Sequence, residues 1–254
     1  MRALVILAAL AVLALPLVAQ NGADTKKVDA DKLYNEGNTL YRSGDFAGAI
    51  TKYQGALQLA DDYKYRYQLG LAYKNTRKTD DAIAQFEKSV ELKPDFAVGH
   101  YALGTANLSA RSYADAIDHF KMALQYDPSM DRAKTGIAEA YSGEAQRLSD
   151  EGQLQAASKL CDEALALHSS NSKLLLIAAR VYNKSGDSEK ALEAAKSALE
   201  YKKRGAKGAE YFELGIAYKR MNDYTNARAA FNEAKKDPTY SRNAQYELDG
   251  LKGK

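Results

Sequence analysis

Four series of residues recur in step along this chain, and their shared spacing leaves few folds open. A small residue stands at Gly37, Gly70, Gly104, Ala145, Ala179 and Gly215, and an alanine follows each at Ala49, Ala82, Ala116, Ala157, Ala191 and Ala227. Both series advance by 33, 34, 41, 34 and 36 residues. Four positions past each alanine come Tyr53, Phe86, Phe120, Cys161, Ala195 and Phe231, and seven past it Ala56, Ser89, Ala123, Ala164, Ala198 and Ala234. Spacings of four and seven lie on one face of a helix. Small residues at a fixed helical phase let two helices approach closely, while the larger residue fills the gap between turns. One such hairpin cannot bury its apolar face alone, so the copies must stack on one another.

The first copy shows the unit most clearly. From Tyr34 to Leu57 it reads as a helix, a turn at Gly44-Asp45 and a second helix. Alanine, leucine, lysine and glutamate are plentiful and there are only four prolines, which favours helix throughout. The formal net charge of +3 over 254 residues gives no case for nucleic acid as a partner.

Against the usual pattern, the fourth copy carries seven extra residues. They are about two helical turns and rotate the apolar face by only ~20°. Ile137, Tyr141, Ala145 and Leu148 then fall on one stripe, and Asp131 to about Asp150 is expected to form a single long helix of roughly 30 Å. Gly136 and Gly143 each cost it about 1 kcal/mol and allow a kink. The stack is expected to change curvature here, with three repeats (30–130) on one side and three (131–240) on the other. Residues Ser241 to Leu251 are expected to form a capping helix with Ser241 as its N-cap and Ala244, Leu248 and Leu251 against the sixth hairpin, followed by a tail to residue 254.

The N-terminus is different in kind. Arg2 precedes an apolar run from Ala3 to Ala19, broken only by Pro16, as in a secretory signal. Residues 1–19 are expected to be a signal peptide cleaved after Ala19, with an uncleaved anchor as the alternative. Residues 20–29 are expected to be a polar linker, and the protein to be exported, periplasmic or secreted. The single cysteine, Cys161, excludes an internal disulfide framework and is expected to be a small buried residue.

With a period near 34, Leu-Gly and Tyr in LGLAY (Leu69–Tyr73) and ELGIAY (Glu213–Tyr218), and prolines at Pro94, Pro128 and near Pro238, residues 30–240 resemble the tetratricopeptide repeat (TPR). The resemblance implies an all-α, right-handed superhelical solenoid of about six helix-turn-helix repeats. The family's first-helix tryptophan is absent; its place holds Leu33, Arg66, His100, Tyr141, Leu175 and Tyr211. Arg66 and His100 are expected to weaken the second and third copies locally.

In that family the first helices line a concave face that holds a partner. Carried over, the facing positions are Tyr34, Asn38, Tyr41 and Arg42 in the first copy, Lys64, Tyr67, Leu71 and Lys74 in the second, and Val98, Tyr101, Thr105 and Leu108 in the third. They continue as Glu139, Ser142, Gln146 and Ser149, then Lys173, Leu176, Arg180 and Lys184, then Phe212, Ile216, Lys219 and Arg220. Tyrosine supplies contact area at low entropy cost and arginine adds charge-assisted hydrogen bonds. The clamp by which some members grip a C-terminal carboxylate is matched only at Asn38; Tyr34, Gln68, Val98 and Ala102 occupy its other places.

Nothing in the sequence announces chemistry. The three histidines, His100, His119 and His168, lack metal-ligand spacing along one helix. No phosphate-binding glycine loop is present, and Cys161 has no histidine partner near it in sequence. No enzyme activity, cofactor or metal is expected. The basic loop Lys202–Lys207 could attract an anionic surface such as a membrane head group, but a solvated connection between repeats is the favoured reading. The leading expectation is a protein–protein interaction scaffold of a bacterial-type cell envelope, holding a partner segment in the groove. The alternative is a structural subunit that self-associates or is permanently built into an envelope secretion or cell-wall machine.

Overall fold

The computed structural model describes residues 25–254, and among them the regular structure is helical. Helix α1 spans 25–42. There follow α2 (Phe46–Leu59), α3 (Tyr63–Asn75), α4 (Thr79–Leu92), α5 (Ala97–Ser109), α6 (Tyr113–Tyr126) and α7 (Asp131–Asp150). The chain continues through α8 (Leu154–Leu167), α9 (Ser172–Ser185), α10 (Ser188–Tyr201), α11 (Gly208–Arg220), α12 (Tyr224–Lys235) and α13 (Ser241–Gly250). Odd-numbered helices α1 to α11 are the first members of six hairpins, and α13 stands after the last.

The six hairpins are closed by one device. The turn residues Gly44, Arg77, Arg111, Gly152, Gly186 and Asn222 all have positive φ, between 60° and 90°. They recur at the steps of the packing series. In five of the six, the next residue returns its N–H to a carbonyl five positions back, as Asp45 does to Leu40 and Lys78 to Tyr73. Such a left-handed residue satisfies carbonyls orphaned at the helix end. The second helix then starts under a side-chain cap at Asp45, Asp187 and Asp223.

Packing follows the spacing. Every member of the alanine and bulky series, and of the series ending at Ala234, is fully buried. Ser89, the one polar member, donates to the Tyr63 carbonyl at 2.8 Å. The small first-helix residues sit directly against the bulky ones. A Cβ added to Gly37, Gly70, Gly104 or Gly215 would lie 2.5–2.7 Å from the ring of Tyr53, Phe86, Phe120 or Phe231 respectively. Where the bulky position holds Cys161 or Ala195, the facing residue is instead alanine, Ala145 or Ala179, and these pack in one cluster. Volume is conserved pair by pair.

The described residues form two compact units. One runs up to Ala110 and includes His119–Met130; the other comprises Arg111–Asp118 and Asp131–Lys254. In the second unit α7 is one unbroken helix over the expected span. Ile137, Tyr141 and Ala145 are buried and Leu148 packs beside them. Gly143 lets the Tyr113 ring come into direct contact with the helix backbone. At the C-terminal end Ala244 and Leu251 are fully buried with Leu248 against Phe231 and Ala234, so α13 covers the sixth hairpin.

Two expectations are corrected. Residues 25–29 of the expected linker are already helical, because Lys27 anchors them by bonds to Asp62 Oδ2 (2.8 Å) and Tyr65 Oη (2.9 Å) and Ala30 is buried behind it. Residues 20–24 and the expected signal at 1–19 lie outside the described residues. Ser241 is not the N-cap of α13. The preceding turn is closed by Asp237, whose carboxylate and carbonyl accept from Thr239 and Tyr240. The chain therefore enters the helix at Tyr240, and no side chain caps it.

Candidate partner-binding face

In the first unit the face formed by α1, α3 and α5 carries one tyrosine per repeat at an equivalent position. Tyr34, Tyr67 and Tyr101 are half-buried, each resting one ring face on the buried ring nineteen residues later. Centroid separations are 5.9 Å to Tyr53, 5.8 Å to Phe86 and 5.7 Å to Phe120. Tyr34 also meets Tyr65 at 4.9 Å, and Tyr67 is edge-on to Phe96 at 5.2 Å. Tilted and edge-on pairs are the geometries the ring quadrupole favours. These tyrosines are thus fastened to the core by ring contacts while remaining only half-buried.

Polar members of this face lock neighbouring helices together. Asn38 Oδ1 accepts from the Tyr53 hydroxyl at 2.8 Å. Asn75 Nδ2 donates to the Tyr41 hydroxyl at 2.7 Å, tying α3 to α1. Leu71, Val98, Thr105 and Leu108 are half-buried. Arg42, Lys64 and Lys74 are exposed, and none of the three has a carboxylate within ion-pair distance among the described residues. Lys74 reaches only the Thr105 hydroxyl, at 3.4 Å.

The second unit presents a different surface at the same repeat positions. Lys173 pairs with Glu139 (3.2 Å), Lys184 with Asp150 (3.3 Å) and Lys219 with Glu247 (2.5 Å). Arg180 donates to Glu213 Oε1 (3.1 Å) and reaches Gln146 Oε1 at 3.5 Å. Asn183, buried, gives both amide hydrogens to Glu213, at its carbonyl (2.9 Å) and Oε2 (3.0 Å). Lys184 also donates to Ser149, and Ser142 is turned back onto the Ala138 carbonyl. Hydrogen bonds from Gln146 and Lys184 hold the Asp150 carboxyl below the usual carboxylate range. The result is a ladder running from α7 through α9 and α11 to α13, with the cations answered inside the protein. Leu176 and Ile216 are half-buried; Phe212 rests on Phe231 and Tyr240 at 5.7 Å each, and Arg220 is exposed.

Two polar residues expected to weaken their repeats do not sit unanswered. Arg66 forms a two-point bond with Asp61 (2.7 and 3.0 Å) and reaches Gln85 Oε1 at 3.0 Å. His100, buried, is bonded to the Pro94 carbonyl and lies beside His119. Both partners, Gln85 and His119, stand nineteen residues on, the spacing that also joins the aromatic pairs. That recurrence was the sequence signal for them.

Two of the four cations of the basic loop, Lys202 and Lys207, are turned inward. Lys202 Nζ bonds both oxygens of buried Glu210, at 2.7 and 2.9 Å, and Lys207 Nζ bonds the Leu199 carbonyl at 2.9 Å. Lys203 and Arg204 are exposed. Cys161 is fully buried, and burial pushes its thiol up to about 12. On the second-helix side of the second unit a cavity of about 420 Å³ is floored by Leu175 and Tyr182, where Asp162 is already bonded by Tyr182 and Lys190. No helix among the described residues is long and apolar enough to cross a membrane.

This helix-turn-helix register matches a known family. A family model described as tetratricopeptide repeat aligns with residues 34–95, 67–133 and 143–209, and a second of the same description with 211–236. The chain belongs to the tetratricopeptide repeat family. TPR domains are all-helical arrays that generally act as interaction modules without catalysis, and no particular subfamily is distinguished here. Among similar proteins, the Hsp70-Hsp90 organizing protein of Triticum aestivum is 35% identical over 112 residues, 44% of this chain and 19% of that protein. The DnaJ homolog subfamily C member 3 of Gallus gallus is 27% identical over 205 residues, 77% of this chain and 40% of that protein. The chain thus spans less than half the length of either relative. Among solved structures, the TPR protein YrrB superposes with a TM-score of 0.56 at 15% identity, covering 78% of this chain and 97% of that one. A MamA double mutant gives 0.51 at 21% identity, covering 68% and 94%. These likenesses show the fold.

Proposed function

We propose that this TPR protein is an exported scaffold that holds an extended segment of a partner protein on the first-helix face of its first unit. The observation that carries the reading is the contrast between the two units. In the first, Tyr34, Tyr67 and Tyr101 are half-buried and held rigid from behind, and Arg42, Lys64 and Lys74 are exposed cations with no carboxylate within ion-pair distance among the described residues. In the second, Arg180, Lys184 and Lys219 are committed to the ladder. Rigid tyrosines bind at low entropy cost, and cations lacking a partner favour a segment with acidic residues. One relative's name, Hsp70-Hsp90 organizing protein, describes assembly with other proteins, which agrees with a scaffold role. Export rests on the sequence pattern of residues 1–19.

A photocrosslinking residue at Tyr67, compared with one at Glu193 on the second-helix side, tests the face. Capture of a partner from position 67 and not 193 is expected. Capture from 193 alone would overturn the proposal. N-terminal sequencing of the mature protein tests export: a first residue at Gln20 supports it, and retention of residues 1–19 in a cytoplasmic fraction refutes it.

A further inference from the structure

We propose that the cavity on the second-helix side of the second unit binds a small organic monocation, an apolar body carrying one ammonium group. The cavity has a cause in the sequence. Leu175 and Ala194, nineteen residues apart, both line it. In the other five copies the pair at this spacing includes a long or aromatic side chain, as in Arg66 with Gln85, His100 with His119 and Tyr141 with Leu160. Leucine with alanine is the smallest pair of the six. The missing volume appears as a cavity of about 420 Å³ between α8 and α10, with α9 beneath. Close-packed interiors leave few voids larger than a water molecule, whereas small-ligand pockets occupy about 300–1,000 Å³.

The floor of the cavity is apolar. Leu175 and Ala194 are buried, Leu165 is half-buried beside them, and the ring of buried Tyr182 completes the surface. Its hydroxyl is already engaged, donating to Asp162 Oδ1 at 2.7 Å. Lys190 of α10 reaches the same carboxylate on α8 at 3.1 and 3.0 Å, so these two charges answer each other.

The mouth carries one unanswered charge. Glu193 is exposed and forms no ion pair or hydrogen bond among the described residues, and the hydroxyls of Ser169 and Ser197 are likewise uncommitted. Glu193 and Ser197 stand one turn apart on the same face of α10, so a single ammonium with its three donors can reach both. An anion would instead meet the Glu193 and Asp162 carboxylates. A neutral apolar molecule would leave Glu193 unpaired. The complement of this lining is therefore apolar at one end and cationic at the other. Such an occupant touches α8, α9 and α10 together and would hold the fourth and fifth hairpins against each other. It is a free molecule in the second unit, independent of the partner segment proposed for the first.

The test is titration of the full chain with benzylammonium, followed by methyl NMR spectra. A Kd on the order of 1 mM is expected for so small a probe. The methyl resonances of Leu165, Leu175 and Ala194 should move while those of Leu71 and Leu103 in the first unit stay in place. Glu193→Gln should weaken binding about twofold to fivefold, and benzyl alcohol should bind the unaltered chain more weakly by a similar factor. Ala194→Leu, which copies Leu160 of the fourth repeat, should fill the cavity and abolish the displacement. Because Glu193 is exposed, its variant remains readable even where Ala194→Leu fails to fold. Unmoved Leu175 methyls would overturn the proposal, as would equal affinity for phenylacetate, or binding undiminished in Glu193→Gln or in folded Ala194→Leu.

Discussion

Replacing Gly70 by alanine should destabilise the protein even though alanine is the better helix former. In an unconstrained helix interior the exchange stabilises by about 1 kcal/mol. Here the new Cβ would lie 2.5 Å from Cε1 and 2.7 Å from Cδ1 of Phe86. Phe86 is fully buried and backed by Tyr67, so its ring has little room to retreat. Overpacking of this kind costs about 1–3 kcal/mol, and a clash this close belongs in the upper half of that range. The net expectation is a loss of about 1 kcal/mol, read as a lower urea midpoint at unchanged slope. The decisive measurement is the same exchange in a Phe86→Cys background, which copies the Ala145/Cys161 pair of the fourth repeat. There the ring is gone and Gly70→Ala should become stabilising, giving a coupling energy of about 1–3 kcal/mol between the two sites. If Gly70→Ala stabilises the wild-type chain, or carries the same sign in both backgrounds, the pairwise volume rule is wrong.

Other consequences can be checked separately. Arg77 and Arg111 hold φ of 60° and 62° in turns where Gly44, Gly152 and Gly186 serve elsewhere, so Arg77→Gly and Arg111→Gly should each stabilise by about 0.5–1 kcal/mol in urea melts. Cys161 should be inert to a thiol reagent at pH 8 in the native protein, because burial holds its pKa near 12, and should react fully once urea unfolds the chain. Burial alone would raise the Asp62 pKa, but bonds from the Lys27 ammonium and the Lys64 amide outweigh it and leave the carboxyl below its ordinary value. Its contribution to stability is therefore complete above pH ~4 and fades as pH falls through the lowered folded value. Asp62→Asn keeps a capping side chain but loses the charge. It should flatten the acid limb of the stability–pH curve by less than about 1 kcal/mol, since the pair is partly solvated.

Much of the architecture was legible because a repeat reports itself several times. The spacing of Gly37, Ala49, Tyr53 and Ala56 recurs with its partners, so each hairpin checks the others. The length of α7 followed from the insertion being two helical turns, and the cover of the sixth hairpin from the stripe Ala244, Leu248, Leu251. The first-helix positions expected to face outward were legible only in part, since Ser142 and Ser149 among them are buried, and their chemistry was not. Periodicity places Lys219 on a face; it does not say that Glu247 will answer it across 28 residues. Likewise, Tyr34 reads as a surface residue until its ring is seen against Tyr53 and Tyr65.

The sequence by itself determined the hairpin, its number and its packing partners, because a helix face is a local periodic property and volume must be conserved wherever two such faces meet. The tertiary structure decided which polar groups meet. Arg66 found Asp61 and Gln85, His100 found His119, and the second unit's cations found carboxylates on the next helix. Those pairings depend on the axial offset between neighbouring helices, which turn geometry and core volume set together. The same closure imposed a left-handed backbone on Arg77, Arg111 and Asn222, whose side chains give it no intrinsic preference comparable to glycine's.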